Sequence, residues 1–332
     1  MNKRLKISFF FAAVFVFTQA LLAQQADPLP SWNDGPAKAG ILEFMRAVTE
    51  KNSPDFIEPL ERIATFDQDG TILVEQPMYA DAQFAYDRIR ALAADHPEWQ
   101  YQFPFNAVLQ NNMAALMNLN PEQIKEVHAA ANTGMRVEDY QKMVKAWFFS
   151  ALHPRFKKPY SQLAYKPMVE LIQFLQQNQF CVYIVSGAGQ EFIRSYSKEV
   201  FGVPVNHIVG TIWKTDYGVV NGKPALIKQA GVLLLDIFKG KPESINMFIG
   251  AKPNAAFGNS IGDKEMLEWT RSGPGKRLAM LVHHDDAERE YAYDAQSKIG
   301  KFSKDLMDEA LRSGWIVISM KNDWKVIFAD PK

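Results

Sequence analysis

The chain predicts an α/β fold, a doubly wound and mostly parallel sheet carrying an inserted helical cap. Three observations predict it. From Lys166 onward, short apolar runs alternate with segments of helical period, the signature of a parallel sheet covered on both faces. Three of the apolar runs, at residues 63–66, 181–185 and 254–257, open directly into glycine-bearing turns, as strands do at the ligand-binding edge of such sheets. The stretch between the first two runs, residues 67–180, is too long for one crossover connection, so something has been inserted there.

The 332 residues exceed the usual single-domain length, and 47% hydrophobic with 22% charged residues is an ordinary globular composition. Lys+Arg and Asp+Glu both total 37, and neither sign forms a block, so the sequence has no electrostatic footprint for nucleic acid. Residues 1–23 differ from the rest. Lys3, Arg4 and Lys6 precede an uncharged run over residues 7–23, and Gln24-Gln25-Ala26-Asp27 follows. That layout reads as a secretory signal peptide cut after Ala23, with an uncleaved membrane anchor as the alternative because Leu21 is a weaker fit than alanine three residues before the cut. Removing it takes away three basic residues and no acid, which leaves the mature chain mildly acidic. No second run approaches the ~18 apolar residues of a membrane span. The expectation is an exported protein, periplasmic or secreted, with no span in its mature part. The single cysteine, Cys181, has no internal partner; between Phe180 and Val182 it reads as a buried strand residue.

Residues 24–57 read as a leader bearing one amphipathic helix. Pro36 begins it, Ile41, Leu42, Phe44, Met45 and Val48 form its apolar face, and Asn52-Ser53-Pro54 stops it. Residues 58–77 and 166–332 read as the α/β core, and residues 78–165 as the helical cap. In the cap, Asn120-Pro121-Glu122-Gln123 supplies a cap residue, a first-turn proline and an N3 glutamine, and Val137, Tyr140, Met143, Val144, Trp147 and Phe148 follow a 3.6-residue period. Trp99, Tyr101, Phe103 and Phe105 serve either as cap core or as the floor of a pocket. The core continues with helix 168–178, strand 181–185, helix 189–201, strand 206–212, an Asn221-Gly222 hairpin turn, helix 242–250, strand 254–257, helix 262–270 and strand 277–283. Helix 303–313 and strands 315–319 and 324–328 close it.

Chemistry concentrates where apolar strands end. Ile63-Ala64-Thr65-Phe66 runs into Asp67-Gln68-Asp69-Gly70-Thr71, two carboxylates one residue apart beside a glycine that lets a ligand approach the backbone. The pair suits a divalent metal and a carboxylate nucleophile; an ordinary Asx turn is the alternative. Ser186 and Gly187 follow the second strand, where a hydroxyl and backbone N–H groups at a helix start suit a phosphate oxygen. The residues before Ser186 are not those of a nucleophilic serine elbow. In Gly240-Lys241-Pro242, the proline places Lys241 at the amino end of a helix, a position for a cation beside a phosphate dianion, with Lys228 and Lys239 as nearby competitors. Gly258-Asn259-Ser260-Ile261-Gly262-Asp263 ends the fourth strand with an amide and a carboxylate, hard oxygen donors that with Asp67 suit Mg²⁺. In His283-His284-Asp285-Asp286, adjacent side chains of an extended segment point opposite ways, so at most alternate members share one ion, and the segment reads as a loop near the pocket.

Together and in this order, D-x-D-G-T, S-G, K and G-N-S-x-G-D resemble the haloacid-dehalogenase-like hydrolase superfamily, in its phosphoserine-phosphatase-like branch, over roughly residues 60–285. The resemblance implies Asp67 as nucleophile and Asp69 as general acid/base. It implies Ser186, Gly187, Lys241 and Thr71 as phosphate-holding groups, and Asp67, Asp69, Asn259 and Asp263 as the Mg²⁺ set. Many relatives have Gly-Asp where this chain has Gly258-Asn259, and an amide is a poorer Mg²⁺ ligand than a carboxylate. Glu75 resembles a cap-hinge glutamate that contacts the substrate amino group. The implied activity is a phosphomonoesterase working through an aspartyl-phosphate on a small phosphorylated metabolite, since a cap over the strand ends excludes large ones. Asp69 favours phosphoester over carbon–halogen chemistry, because only the former needs an acid for the leaving group. A phosphotransferase using the same intermediate and a catalytically silent ligand-binding protein are the alternatives.

Overall fold

A computed structural model describes residues 27–329; the expected signal peptide lies outside the described residues. Among those described, no helix is long and apolar enough to cross a membrane. Seven strands form one sheet in the order β4-β3-β2-β1-β5-β6-β7. They are β1 (Ile63–Phe66), β2 (Cys181–Gly189), β3 (Ile208–Val220), β4 (Lys223–Leu234), β5 (Ala255–Gly258), β6 (Leu278–His283) and β7 (Ile316–Ser319). Every pairing is parallel except β3 with β4. β1 lies between β2 and β5, with all four residues buried, as a strand covered on both faces requires. The expected α/β architecture, with a helical insertion between β1 and β2, is present.

Helix α1 (Pro36–Thr49) buries Ile41, Phe44, Met45 and Val48, the face its periodicity predicts. The insertion holds α2 (Ala80–Leu92), α3 (Phe105–Leu109), α4 (Met113–Leu116), α5 (Pro121–Asn132) and α6 (Val137–Ser150). At the start of α5 the Asn120 side chain accepts from the Gln123 N–H at 3.0 Å, and Gln123 Oε1 accepts from the Asn120 N–H at 2.9 Å, a complete capping box. The insertion is not one separate body. Met78, Ala85, Ile89, Trp99, Phe105 and Val127 share an apolar cluster of their own, whereas Tyr140, Val144 and Phe148 of α6 join the main core. Trp99 stacks on Phe105 at 4.7 Å inside that cluster, while Tyr101 and Phe103 are exposed, so the four aromatics do not form one floor.

After the insertion come α7 (Lys166–Gln177), α8 (Gln190–Arg194), α9 (Ser197–Val200), α10 (Gly240–Phe248), α11 (Lys264–Arg271), α12 (Lys304–Arg312) and α13 (Met320–Asp323). Several details depart from the sequence expectations. The helix expected over 189–201 is two short ones, because β2 runs on through Ser186 and Gly187 to Gly189 with an irregular register there. The strand expected over 206–212 extends into a long hairpin whose second strand, β4, forms one edge of the sheet; Asn221 and Gly222 turn it with φ of 51° and 75°, the mirror-image turn their types favour. Residues 324–328 form no sheet strand, only isolated bridges from Trp324 to Trp32 and from Phe328 to Tyr165. Cys181 is exposed, not buried, because it opens β2 at the edge of the sheet remote from the glycine turns. The two ends of the described chain close on one another: Trp32 meets Trp324 edge to face at 6.0 Å, and the Lys166 N–H donates to the Ile327 carbonyl at 2.8 Å.

Candidate active site

The carboxyl ends of β1, β2 and β5 deliver the site. The Asp67 N–H donates to the Phe257 carbonyl at 2.9 Å, continuing the β1–β5 ladder one residue past the strand, and Phe66 stacks on Phe257 at 4.2 Å beneath it. Beyond Asp67 the chain folds over itself: the N–H groups of Thr71, Ile72 and Leu73 all donate to the Gln68 carbonyl. Gly70 holds φ of 76° in that turn, and a Cβ there would collide with the Asn259 amide and the Glu75 carboxyl. The glycine is required on both counts.

Lys241 is the centre of the charge arrangement. It is 2% exposed, and its ammonium donates to Asp67 Oδ1 and Asp263 Oδ1 at 2.6 Å each and to the Val185 carbonyl at 2.9 Å. All three ammonium hydrogens are therefore used. The helix begins at Gly240, so Lys241 sits inside the first turn of α10, not ahead of it as Pro242 suggests. Burial disfavours its charge, but Asp263, Asp67 and Asp236 outweigh that and hold its pKa above the ordinary lysine value. Neither nearby lysine competes: Lys228 lies over the Tyr140 ring at 4.1 Å, and Lys239 precedes the helix.

One ammonium does not balance the acids around it. Burial, then the Asp263 charge, push Asp67 up to about 7 against the pull of Lys241. Burial and the Asp67 charge raise Asp69 well above the carboxylate range. Gln68 Nε2 lies 3.3–3.4 Å from both Asp69 oxygens, and Gln68 Oε1 accepts from the Tyr196 hydroxyl at 2.8 Å, so the acid is oriented by a residue between the two aspartates. Glu75, 2% exposed, accepts through Oε1 from Asn259 Nδ2 and the Tyr293 hydroxyl, both at 2.6 Å. Burial lifts it to about 8.

Asp67, Asp69, Lys241, Asn259, Asp263 and Glu75 are thus brought together in one buried network. Others are placed differently from expectation. Thr71 is fully buried and donates to Asn259 Oδ1 at 3.3 Å, so it braces the loop after β5. The Ser186 hydroxyl accepts from the Ala188 N–H at 3.3 Å beside the Val185 carbonyl that Lys241 holds, and the Gly187 carbonyl accepts from Thr211 at 2.7 Å. Neither residue stands at a helix start, because the strand continues through them and the Gly189 N–H is taken by Asp81 at 2.8 Å.

Among the described residues no three acid, histidine or cysteine side chains converge as metal ligands. Mg²⁺ keeps several waters and needs only one or two protein carboxylates, so the donor set decides the fit. Both Asp263 oxygens are engaged, Oδ1 by Lys241 and Oδ2 by the N–H groups of Asn259 and Ser260 at 3.0 Å each, whereas Asn259 Oδ1 accepts only from Thr71 at 3.3 Å. Burial and the Asp67 charge oppose ionisation of Asp69, which makes its carboxyl a weaker ligand. That leaves the second oxygen of Asp67 and the Asn259 amide oxygen, together with a surplus of buried negative charge that a divalent cation offsets. The residues fit a hard, largely hydrated cation with fewer anionic ligands than the sequence suggests.

The haloacid dehalogenase-like hydrolase family matches the chain over residues 64–268, more than half its length. The chain belongs to that family. Solved structures with this hydrolase's architecture include a conserved protein of unknown function from Anaerococcus prevotii DSM 20548, at 13% identity and a TM-score of 0.55 over 89% of this chain and 96% of that one. A second, of unknown function from Bordetella pertussis Tohama I, aligns at 16% identity and a TM-score of 0.51 over 78% and 98% of the two chains. A phosphoserine phosphohydrolase-like protein from Francisella tularensis aligns more loosely, at 12% identity and a TM-score of 0.38 over 71% of this chain and 90% of that one. No curated protein matches the hydrolase in sequence. Sequence reasoning missed Gln68, Tyr196, His284, Glu290 and Tyr293; of these, Gln68 and His284 lay in segments that the sequence marks out.

Proposed function

We propose that the chain is an exported, Mg²⁺-dependent phosphomonoesterase that acts on a small phosphorylated metabolite through an aspartyl-phosphate on Asp67. The observation that carries this reading is the different setting of two buried aspartates one residue apart. Asp67 accepts from the Lys241 ammonium at 2.6 Å and has an oxygen to spare, whereas Asp69 has no cation beside it in hydrogen-bond reach and is held by the Gln68 amide. A nucleophile and a proton donor side by side is what phosphoester cleavage requires and what carbon–halogen cleavage does not. Asp67 attacks phosphorus in line, and Asp69 gives its proton to the departing alkoxide. Asp69, then ionised, takes a proton from the water that opens the acyl phosphate. Lys241 stabilises charge on the transferred group, and Asp263 holds Lys241 in place. Asp67 and Asn259 would hold the metal, whose charge lets two anions approach each other. Enclosure by the helical insertion leaves the aspartates 7% exposed, which favours a small substrate.

The test is hydrolysis of p-nitrophenyl phosphate by the mature chain with and without Mg²⁺, beside Asp67→Asn. Turnover that needs the metal and falls at least ~10³-fold in the variant is expected. Turnover surviving in Asp67→Asn refutes the mechanism. Export is tested separately, by whether the chain recovered from the producing cell begins at Gln24.

A further inference from the structure

The chemistry above leaves one buried charged pair unused, and it lies beyond the residues the family match covers. His284 follows β6 directly and is buried beneath the nucleophile loop. Its Nε2 lies 2.7 Å from the Gly70 carbonyl oxygen and its Nδ1 3.1 Å from Glu290 Oε2. A carbonyl oxygen only accepts, so Nε2 carries a hydrogen. Glu290 Oε2 also accepts from the Tyr291 N–H at 2.7 Å, and Oε1 lies 3.2 Å from the Tyr165 hydroxyl. One proton is shared between Oε2 and Nδ1, and because a carboxylic acid is ordinarily a stronger acid than an imidazolium, that proton rests on the ring. Both ring nitrogens therefore donate, and His284 is an imidazolium paired with a carboxylate. Burial opposes that charge, and Glu290 overcomes it, holding the pKa above the ordinary histidine value.

What the imidazolium grips is the peptide that closes the turn. The carbonyl of Gly70 belongs to a residue with no side chain and a left-handed φ, so that peptide is fixed by hydrogen bonds at its two ends, from the Thr71 N–H to the Gln68 carbonyl and from His284 to the Gly70 carbonyl. The same segment reaches the second loop of the site. The His284 ring stacks on Tyr293 at 4.4 Å, and the Tyr293 hydroxyl donates to Glu75, which accepts from Asn259. We propose that His284, held charged by Glu290, is a positioning residue for phosphoryl transfer: its hydrogen bond to the Gly70 carbonyl fixes the turn that sets Asp67 and Asp69 in their reactive geometry. The catalytic part of this proposal rests on the phosphatase reading; the clamp itself does not.

The test compares wild type with His284→Ala, His284→Gln and Glu290→Gln, using three readouts. In p-nitrophenyl phosphate hydrolysis with Mg²⁺, His284→Ala is expected to lose about 10²-fold in kcat with KM within about twofold, since misplacement of roughly 1 Å has that effect. His284→Gln, which keeps a donor for Gly70, is expected to recover most of it. In amide exchange, residues 68–73 are expected to exchange about tenfold faster in His284→Ala and near the wild-type rate in His284→Gln. In ¹⁵N spectra at pH 7.5, both His284 ring nitrogens are expected to be protonated in wild type, and one to lose its proton in Glu290→Gln. Unchanged loop exchange in His284→Ala overturns the clamp, and a neutral ring in wild type overturns its charged state; an equal loss of kcat in the glutamine and alanine variants overturns positioning through the hydrogen bond. If His284→Ala does not fold, His284→Met, which fills the space of the ring without a donor, decides it: faster loop exchange than in His284→Gln supports the clamp and an equal rate refutes it. A wild type without turnover refutes the phosphatase reading and the catalytic role with it, while exchange and ring protonation still decide the clamp.

Discussion

Replacing Lys241 with methionine keeps most of the apolar stem of the side chain and removes the ammonium, with its charge and three donors. The structure gives a definite cost. Asp67 and Asp263 each lose a 2.6 Å ion pair, the Val185 carbonyl loses a donor, and all of these groups are buried. Breaking a buried pair by removing one partner costs about 3–5 kcal/mol, because the remaining charge is left uncompensated. In a chain of this size that corresponds to a melting temperature lower by roughly 5–8 °C. The loss must also depend on pH. In the native protein Asp67 is already raised from 3.8 to about 7, so the proton it retains in the folded state stabilises the fold below about pH 4, and this contribution is lost as pH rises through 7. Without the ammonium the two carboxylates resist ionisation more strongly, so Lys241→Met is penalised less at pH 5 than at pH 8. Calorimetry of the metal-free protein at both values measures this, with Lys241→Met/Asp263→Asn as the second variant, which removes one orphaned charge and recovers part of the loss. A Lys241→Met melting point within 2 °C of wild type at pH 8, or a double variant no better than the single one, refutes the reasoning.

Three further predictions concern the loops around this lysine. Asn259→Asp replaces the amide that donates to Glu75 with a second acid. Because Glu75 is raised from 4.5 to about 8, stability present below pH 4.5 is lost as pH rises through 8; the variant steepens that loss by about 2–4 kcal/mol, and Mg²⁺ restores more melting temperature to it than to wild type. Asp69→Asn separates substrates by leaving group. Single-turnover phosphorylation by an alkyl phosphate falls about 10²–10⁴-fold, while p-nitrophenyl phosphate, whose phenolate departs without a proton, loses far less; equal losses would remove the general-acid role. Gly70→Ala forces a side chain into a left-handed turn and against Asn259 and Glu75, costing about 1–3 kcal/mol in denaturant unfolding; an unchanged midpoint would show that the loop has room to move.

The parts of the site that sequence made legible are those where one residue's neighbours decide its place. Asp67 and Asp69 follow an apolar run and precede a glycine, and Lys241 stands beside a proline that suits a helix start; local chemistry positions each. Gln68 is bracketed by the two aspartates and still escaped notice, because its role depends on Tyr196, brought in from the helical segment after β2. The grip of His284 on Gly70 spans most of the core, and no periodicity encodes such a contact. The same distinction holds for the fold. Asn221-Gly222 announced its hairpin through backbone preference alone. Residues 324–328 have strand composition, but β7 is the last strand of the sheet, and what they pair with is Trp32 and Tyr165. Ser186 looked like a helix cap because the extension of β2 past it depends on pairing with β3, which no local pattern states.

The meeting of Trp32 with Trp324 bears on how the molecule is made. β1, the middle strand of the sheet, stands near the start of the described chain, while its neighbours β2 and β5 arrive only after the helical insertion and the hairpin. Trp324, which meets Trp32 just ahead of α1, follows all seven strands. Contacts of such long sequence separation make assembly slow, since the entropy of closing the intervening chain must be met before any of them forms. A nascent chain therefore cannot complete this core until residues through Trp324 have been made. By the same logic, a single proteolytic cut between β7 and Trp324 would free the segment around Trp32, far earlier in the sequence, before it disturbed the strands in between.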